Sequence, residues 1–359
     1  EPEPEPAPEP EPEPEPAPLE AGAMVSIPAG PFLAGSAPGV PWRRARDEAD
    51  LVEVSLGAFR IDRLPYPNDP DQSPRTHVTA NEAAALCDAE GKRLCSELEW
   101  ERACKGGNAE RLFPTGPNLD LETCANSACA SPEDVLRMGV LAGEWTASSG
   151  NRGLEASTRI FRGAAPDAEL LHRHRCAARR AAEPATLSAN LGFRCCAGPV
   201  QTATYPEERD PARFRRMTPS QDELRAMLRS IPELAPWADD FVHEDAESMA
   251  RALQDDDADL RGWELTGGPL RWSPRTGDVA WVLAGRSRGD ALVAVLYTLP
   301  DGSFRHASSF VLRGENTPIA VAFTPPSRGE LLWSPCWGCL GEGGAIRLRE
   351  DGALTVSHR

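Results

Sequence analysis

Hydrophobic positions are spaced differently in the two halves of the chain. In residues 24–198 they form short runs broken by many turn-forming residues, a pattern that predicts a loop-rich unit with short strands. Two stretches predict helices, residues 80–90 and residues 96–104. In the second, Ser96 stands three positions before Glu99, which is the spacing of a capping box. The first half is therefore predicted to combine a few helices with short strands.

The second half is predicted to begin with helices and to continue as β structure. A helix is predicted over residues 219–230 and another over residues 244–254. After Trp263, apolar or alternating runs are separated by turn residues, which predicts an antiparallel meander of about five or six strands. We take residues 199–217 as a connector and residues 218–359 as a β-rich domain with two helices at its start.

Residues 1–20 are a low-complexity segment in which Glu and Pro alternate almost without interruption. Proline fixes φ and lacks an amide donor, and the glutamates repel one another. The segment is therefore predicted to be a disordered linker of the polyproline II type. Because the sequence starts with Glu1 rather than Met, we expect anchoring through a segment removed before it.

Charge and cysteine content limit the classes of function. The formal net charge is −17, which argues against a nucleic-acid partner because phosphate binding needs clustered Lys and Arg. No apolar run approaches the ~20 residues of a transmembrane helix, so we predict no membrane span in this chain. The 10 cysteines indicate an oxidising compartment, and we expect an extracytoplasmic protein that is secreted, periplasmic or tethered to a surface.

Residues 24–198 contain a series of sequence motifs. In chain order they are MVSIPAGPFLAGS (24–36), VEVSLGAFRIDRLPYPN (52–68), VTANEAAALCDAEGKRLCSELEWERACKGG (78–107), GEWTASS (143–149), RIFRGAA (159–165) and CAARRAAEPATLSANLGFRCC (176–196). Together they resemble the formylglycine-generating enzyme family, the sulfatase-modifying factor domain. The resemblance implies an irregular α+β fold, similar to C-type lectins and low in regular secondary structure. The predicted fold class is this fold followed by a small helix-plus-antiparallel-β domain.

The resemblance also implies cross-links. In members of the vertebrate type, two disulfides join the central helix region to the C-terminal strands. The matching positions here are Cys87 with Cys195, and Cys104 with Cys176. Cys95 could then pair with Cys196, and Cys124 with Cys129, but the connectivity of these four stays open.

The last two cysteines, Cys336 and Cys339, form a Cys-x-x-Cys sequence in the second half. A redox site of this kind opens a helix, whereas here the motif is followed by Leu-Gly-Glu-Gly-Gly. A zinc site would need a second pair of ligands at a suitable spacing. The favoured interpretation is a structural disulfide at a turn.

The segment at residues 166–175, PDAELLHRHR, departs from the family pattern. The resemblance implies a pair of cysteines here, with which copper and oxygen convert a substrate cysteine into formylglycine. Leu171 occupies the position of the second catalytic cysteine, and Ala165 replaces the serine of the preceding turn. Cu(I) is a soft ion that needs thiolate ligands. The segment therefore predicts that the oxidase chemistry is absent and that no residue is catalytic.

Two other groups are candidate metal ligands. The resemblance implies a calcium site at a Gly-Asn-x-Trp-Glu-Trp stretch, of which VLAGEWT keeps Glu144 but has Leu141 at the asparagine position. His172 and His174 would share one face of a strand and bind one metal, although they are better explained as fillers of aromatic positions. No cofactor other than calcium is expected.

The leading hypothesis is a non-catalytic member of the family, a pseudoenzyme that serves as a binding or structural module outside the cytoplasm. One alternative is a copper- or iron-dependent oxidase of altered mechanism that modifies a protein or small molecule. A second alternative is glycan binding through the lectin-like scaffold, an expectation that rests on fold analogy. The expected partner is a protein or a glycan.

Overall fold

The protein is described here by a computed structural model. The described residues are 19–44, 46–107, 111–126, 129–166, 168–207, 215–216, 220–243, 264–266, 270–272, 280–299, 303–314, 320–323, 331–334, 344–349 and 354–358. Residues 1–18 of the predicted linker (residues 1–20), the predicted helix over residues 244–254 and the Cys336–Cys339 motif lie outside them. Within this part of the chain, no helix is long and apolar enough to cross a membrane.

The first half combines short strands with three α-helices and a 3-10 segment among its described residues. Its elements are β1 (Met24–Ile27), β2 (Gly30–Gly35), β3 (Asp50–Leu56), β4 (Phe59–Asp62), α1 (Ala80–Ala89), β5 (Arg93–Leu94), α2 (Glu97–Lys105), α3 (Leu121–Asn126), β6 (Gly143–Ser149), β7 (Arg159–Arg162), the 3-10 segment Ala168–His174, β8 (Arg180–Ala182), β9 (Leu191–Phe193) and β10 (Cys195–Ala197). The strands form sheets in the orders β1-β4-β10-β5, β8-β7-β6-β9 and β2-β3.

Helices α1 and α2 begin where local sequence dictates. Thr79 caps α1 and Ser96 caps α2, each through a capping box with the glutamate three residues later, Glu82 and Glu99. Helix α2 ends at Gly106, which adopts the left-handed conformation. Every residue of α2 is buried, including its charged residues, so this helix needs ionic partners from the rest of the domain.

The second half contains a helix and two β-sheets. Its elements are β11 (Arg215–Arg216), α4 (Gln221–Arg229), the 3-10 turn Ala235–Trp237, β12 (Glu264–Thr266), β13 (Leu270–Trp272), β14 (Ala280–Ser287), β15 (Asp290–Thr298), β16 (Phe304–Leu312), β17 (Ala320–Phe323), β18 (Leu331–Ser334), β19 (Gly344–Leu348) and β20 (Leu354–His358). Among the described residues, the strand orders are β11-β13-β14-β15-β16 and β12-β17-β18-β19-β20. The described residues form an α+β protein with few helices and many strands.

The described residues of the second half form two sheets, whereas the sequence predicted a single meander. The burial of strand β15 explains the difference. One face of β15, with Val293 and Val295, packs against Trp333 and Ile346 of the second sheet. Its other face, with Leu292, packs against α4 and the residues after it. A strand buried on both faces needs a layer on each side, and a single sheet cannot supply both.

Candidate functional site

The segment between β7 and β8 is where the resemblance implies the copper-binding cysteines. Leu171 lies on the surface, with 39% of its area exposed. The neighbouring His172 stacks on Trp42, with ring centroids 4.5 Å apart and an interplanar angle of 13°. Trp42 is itself 43% exposed. The segment therefore presents an aromatic and aliphatic surface where the family places its thiols.

The two histidines of this segment do not converge. Residues Ala168–His174 form 3-10 turns with a kink at Leu170, not a strand, so positions i and i+2 do not share a face. His174 is fully buried, with its Nδ1 atom 2.9 Å from the carbonyl oxygen of Gly139, whereas His172 is half-buried against Trp42. The structure therefore does not place the two imidazoles on one face, and their ligation of a metal stays a prediction. Within the described residues there is no group of three or more potential metal-ligating side chains.

All cysteines of the first half lie in disulfides. The bonds join Cys87 to Cys195, Cys95 to Cys196, Cys104 to Cys176, and Cys124 to Cys129. The first and third are the pairs that the resemblance implies, and the other two settle the connectivity that the sequence left open. In the part of the chain that the structure covers, there is thus no free cysteine and no thiolate for a soft metal.

Glu144 is engaged inside the protein. Its Oε2 atom accepts from Nε of Arg194 at 2.6 Å and from Nε1 of Trp100 at 2.7 Å. Its Oε1 atom accepts from Nη2 of Arg194 at 2.9 Å and from the amide of Gly139 at 3.0 Å. A guanidinium occupies the place where a cation would bind. Both carboxylate oxygens accept from these donors, an arrangement that does not fit calcium, and the calcium ligand at Glu144 stays a prediction.

An ionic network that the sequence motifs did not predict surrounds helix α2. Glu97 accepts from Arg179 and from Arg162, at 2.6 and 2.9 Å. Glu101 accepts from Arg162 at 3.1 Å and pairs with Lys105 at 2.7 Å. All five side chains are at least 98% buried. Burial lowers the pKa of Lys105 against the opposing effect of Glu101. The sequence of α2, ELEWERACK, has charged residues on every side of the helix. This pattern is the signal in the sequence that the charged residues of α2 form ion pairs inside the protein.

A second buried pair fixes the segment to the loop before β3. Glu48 accepts from Nη2 and Nη1 of Arg175 at 2.7 and 2.8 Å, and from the hydroxyl of Ser36 at 2.7 Å. Burial alone would raise the pKa of Glu48, but Arg175 holds this pKa at about 2. The carboxylate is therefore charged at neutral pH and paired. Such groups hold a scaffold in place and have no proton to exchange near pH 7.

Comparison with known proteins agrees with the resemblance drawn from the motifs. The family model for the sulfatase-modifying factor enzyme 1-like domain matches residues 64–131. The formylglycine-generating enzyme of Mus musculus is 29% identical over 184 residues, covering 38% of this chain and 50% of the mouse protein. The inactive C-alpha-formylglycine-generating enzyme 2 of Bos taurus is 32% identical over 152 residues, covering 35% and 50%.

The chain spans about half the length of the curated relatives it matches. Among solved structures, that of PvdO from Pseudomonas aeruginosa superimposes with a TM-score of 0.39 and 21% identity, covering 48% of this chain and 93% of PvdO.

Proposed function

We propose that this chain, whose first half is similar to the formylglycine-generating enzyme family, is a non-catalytic binding module that acts outside the cytoplasm. The observation that carries this proposal is the lack of thiol ligands for copper. Leu171 occupies the position that the resemblance implies for the second catalytic cysteine, and every described cysteine is bonded to another. Since Cu(I) binds through thiolates, the described residues offer it no ligands.

A related protein supports the loss of activity. The bovine protein that is 32% identical bears the name of an inactive formylglycine-generating enzyme. Loss of catalysis with retention of the scaffold therefore has a parallel among the relatives of this chain.

The disulfides support a location outside the cytoplasm. Three of them join cysteines separated by 72 to 108 residues and tie the central helices to the last strands of the domain. Bonds of this kind persist in oxidising compartments, whereas cytosolic reductants keep thiols reduced. The scaffold is thus suited to an extracellular, periplasmic or lumenal setting.

An exposed surface supports a binding role. Trp42 and Leu171 are both more than one-third exposed, and Trp42 is held flat against His172. Burial lowers the pKa of His172, and Arg175, Arg173 and Arg180 lower it further, so this ring is uncharged at neutral pH. An aromatic side chain that is already ordered loses little entropy when a partner covers it.

The test is an oxidase assay on protein produced with its disulfides intact. A peptide with a sulfatase-type cysteine is incubated with the protein, Cu(I) and oxygen, and the product is analysed by mass spectrometry. The mouse formylglycine-generating enzyme serves as the positive control. We expect unmodified peptide, and we expect no alkylation of the first-half cysteines under denaturing, non-reducing conditions. Formation of formylglycine would overturn the proposal.

A further inference from the structure

A cavity of about 640 Å³ lies between the first-half domain and the second-half domain. Residues 35–37 and 40–41, together with Arg111 and Arg175, line one side. Residues 231–233 and 304–306 line the other. We propose that this interdomain cavity binds a small organic anion with an apolar body. The proposal rests on the proposed function, because it assigns a ligand class and a site to the binding module.

The two halves are in close contact beside this cavity. A Cβ atom added at Gly39 would lie 2.6 Å from ring atoms of Tyr297, so the loop before β3 comes close to strand β15. The cavity is therefore lined by residues of both halves beside a close contact between them. Its volume is within the roughly 300–1,000 Å³ typical of small-molecule sites.

The charged lining is predominantly basic. Lys105 is neutralised by Glu101 at 2.7 Å, and Arg175 is neutralised by Glu48 at 2.7 Å. Arg111 and Arg305 also line the cavity, and within the described residues neither has an acidic partner.

Glu233 is the carboxylate among the described lining residues. Burial lowers the pKa of His306 against the opposing effect of Glu233, so this histidine is uncharged near pH 7. The guanidinium groups of Arg111 and Arg305, which have no acidic partner among the described residues, therefore outnumber the one carboxylate of the described lining, and the site favours an anion.

Two buried donors lack acceptors within the described residues. They are the Nε atoms of Arg111 and Arg175, and Arg175 is only 3% exposed. The other nitrogens of Arg175 already donate to Glu48 and to the carbonyl of Trp42, at 2.8 Å in the latter case. A buried donor without an acceptor costs free energy. Carboxylate and phosphate oxygens match guanidinium geometry, so an anionic head group suits the guanidinium groups of Arg111 and Arg305 that line the cavity.

The remaining lining is apolar and calls for a hydrophobic ligand body. Val40, Leu112, Ile231 and Phe304 contribute side chains from both halves. A bare inorganic anion would leave this surface without contacts. The ligand class is therefore an amphipathic anion with a carboxylate or phosphate head and an aliphatic or aromatic body.

Calorimetric titration of the full chain tests the proposal, with 2-naphthoate, 2-naphthyl phosphate and uncharged 2-naphthol as probes. We expect saturable binding of at least one anion and at least tenfold weaker binding of 2-naphthol. The tighter of the two anions identifies the head group. Arg305→Gln and Arg111→Gln should each weaken anion binding by roughly fivefold to tenfold, because each removes a charge-assisted donor. Arg60→Gln, on the exposed face of β4, is the control and should bind as the wild type does.

Absence of saturable binding by both anions would overturn the proposal, as would wild-type affinity in both Arg305→Gln and Arg111→Gln. These failures are separate from failure of the proposed function. A protein that binds neither anion and makes no formylglycine is still a non-catalytic module with another ligand site. A protein that makes formylglycine refutes the module whatever the titration shows.

Discussion

Arg179 and Glu97 form a buried ion pair with two contacts. Nε of Arg179 lies 2.6 Å from Oε2 of Glu97, and Nη2 lies 2.8 Å from Oε1. The ring of Tyr205 lies 3.7 Å from the guanidinium carbon of Arg179. The pair joins helix α2 to the segment before β8, so it anchors that segment to the core.

Replacing Glu97 with Gln should lower the free energy of unfolding by about 3–5 kcal/mol, because it leaves a buried guanidinium without its counter-charge. Urea denaturation followed by circular dichroism measures the loss. Asp239→Asn is the matched control, since Asp239 pairs with Arg229 at 2.9 Å on the surface, with both side chains more than half exposed. That change should cost no more than about 1 kcal/mol. Equal losses in the two variants would show that the buried pair is not a structural anchor.

The disulfide between Cys95 and Cys196 should stabilise the domain more than the one between Cys124 and Cys129. The first closes a separation of 101 residues and the second a separation of 5. On the loop-entropy relation the first contributes about 4–5 kcal/mol and the second about 2 kcal/mol. Urea denaturation of the two double-alanine variants measures the difference. Loss of equal stability in both would indicate that loop closure in the unfolded state is not the source of the stabilisation.

Local features of the fold were predictable from the sequence. Helices α1, α2 and α4 are preceded by the N-cap residues Thr79, Ser96 and Ser220. In each case the hydroxyl of the N-cap residue and the glutamate three residues later form a capping box. Such caps depend on residues within one turn, so the sequence pattern contains all the information. The family motifs likewise predicted the disulfides Cys87–Cys195 and Cys104–Cys176, which the structure contains.

Long-range features were not predictable. Glu48 and Arg175 are 127 positions apart, and Glu97 and Arg179 are 82 apart. A charged residue in sequence looks the same whether it faces solvent or a distant partner. The backbone around the two histidines is a further example. The alternation His-x-His fits a strand, whereas the segment adopts 3-10 turns in which His174 contacts the carbonyl of Gly139, 35 positions away.

Acid should destabilise the protein through Glu48. The pKa of this carboxyl falls from its ordinary value of 4.5 to about 2 in the folded state, because Arg175 outweighs the effect of burial. The contribution of Glu48 to the free energy of unfolding is therefore complete above pH 4.5 and is lost as the pH falls towards 2. This contribution is about 3 kcal/mol. Burial shifts Asp47 and Asp62 the other way, raising the pKa of each, so comparison of variants is needed to isolate Glu48.

Glu48→Gln isolates this contribution. Between pH 4.5 and pH 2, its free energy of unfolding should fall less steeply than that of the wild type, as measured by urea denaturation at a series of pH values. Glu155→Gln changes an exposed glutamate and should keep the wild-type slope. A Glu48→Gln variant with the wild-type slope would show that another group controls the acid transition.

Gly163, which opens the segment after β7, should not tolerate a side chain. Its φ is +76°, and an added Cβ atom would lie 2.2 Å from the Cα atom of Gly139. Gly91, after α1, has a φ of +67° but no atom within 4 Å of such a Cβ. Gly91→Ala should therefore cost only the left-handed strain, about 1–2 kcal/mol, and Gly163→Ala should add about 1–3 kcal/mol of overpacking. Urea denaturation of both variants measures the loss in free energy of unfolding. The difference between the two losses is the cost of the close contact, because backbone strain is common to both. Equal costs would mean that the loop at Gly139 moves aside, so that close packing of the two glycines does not fix the turn leading to Leu171.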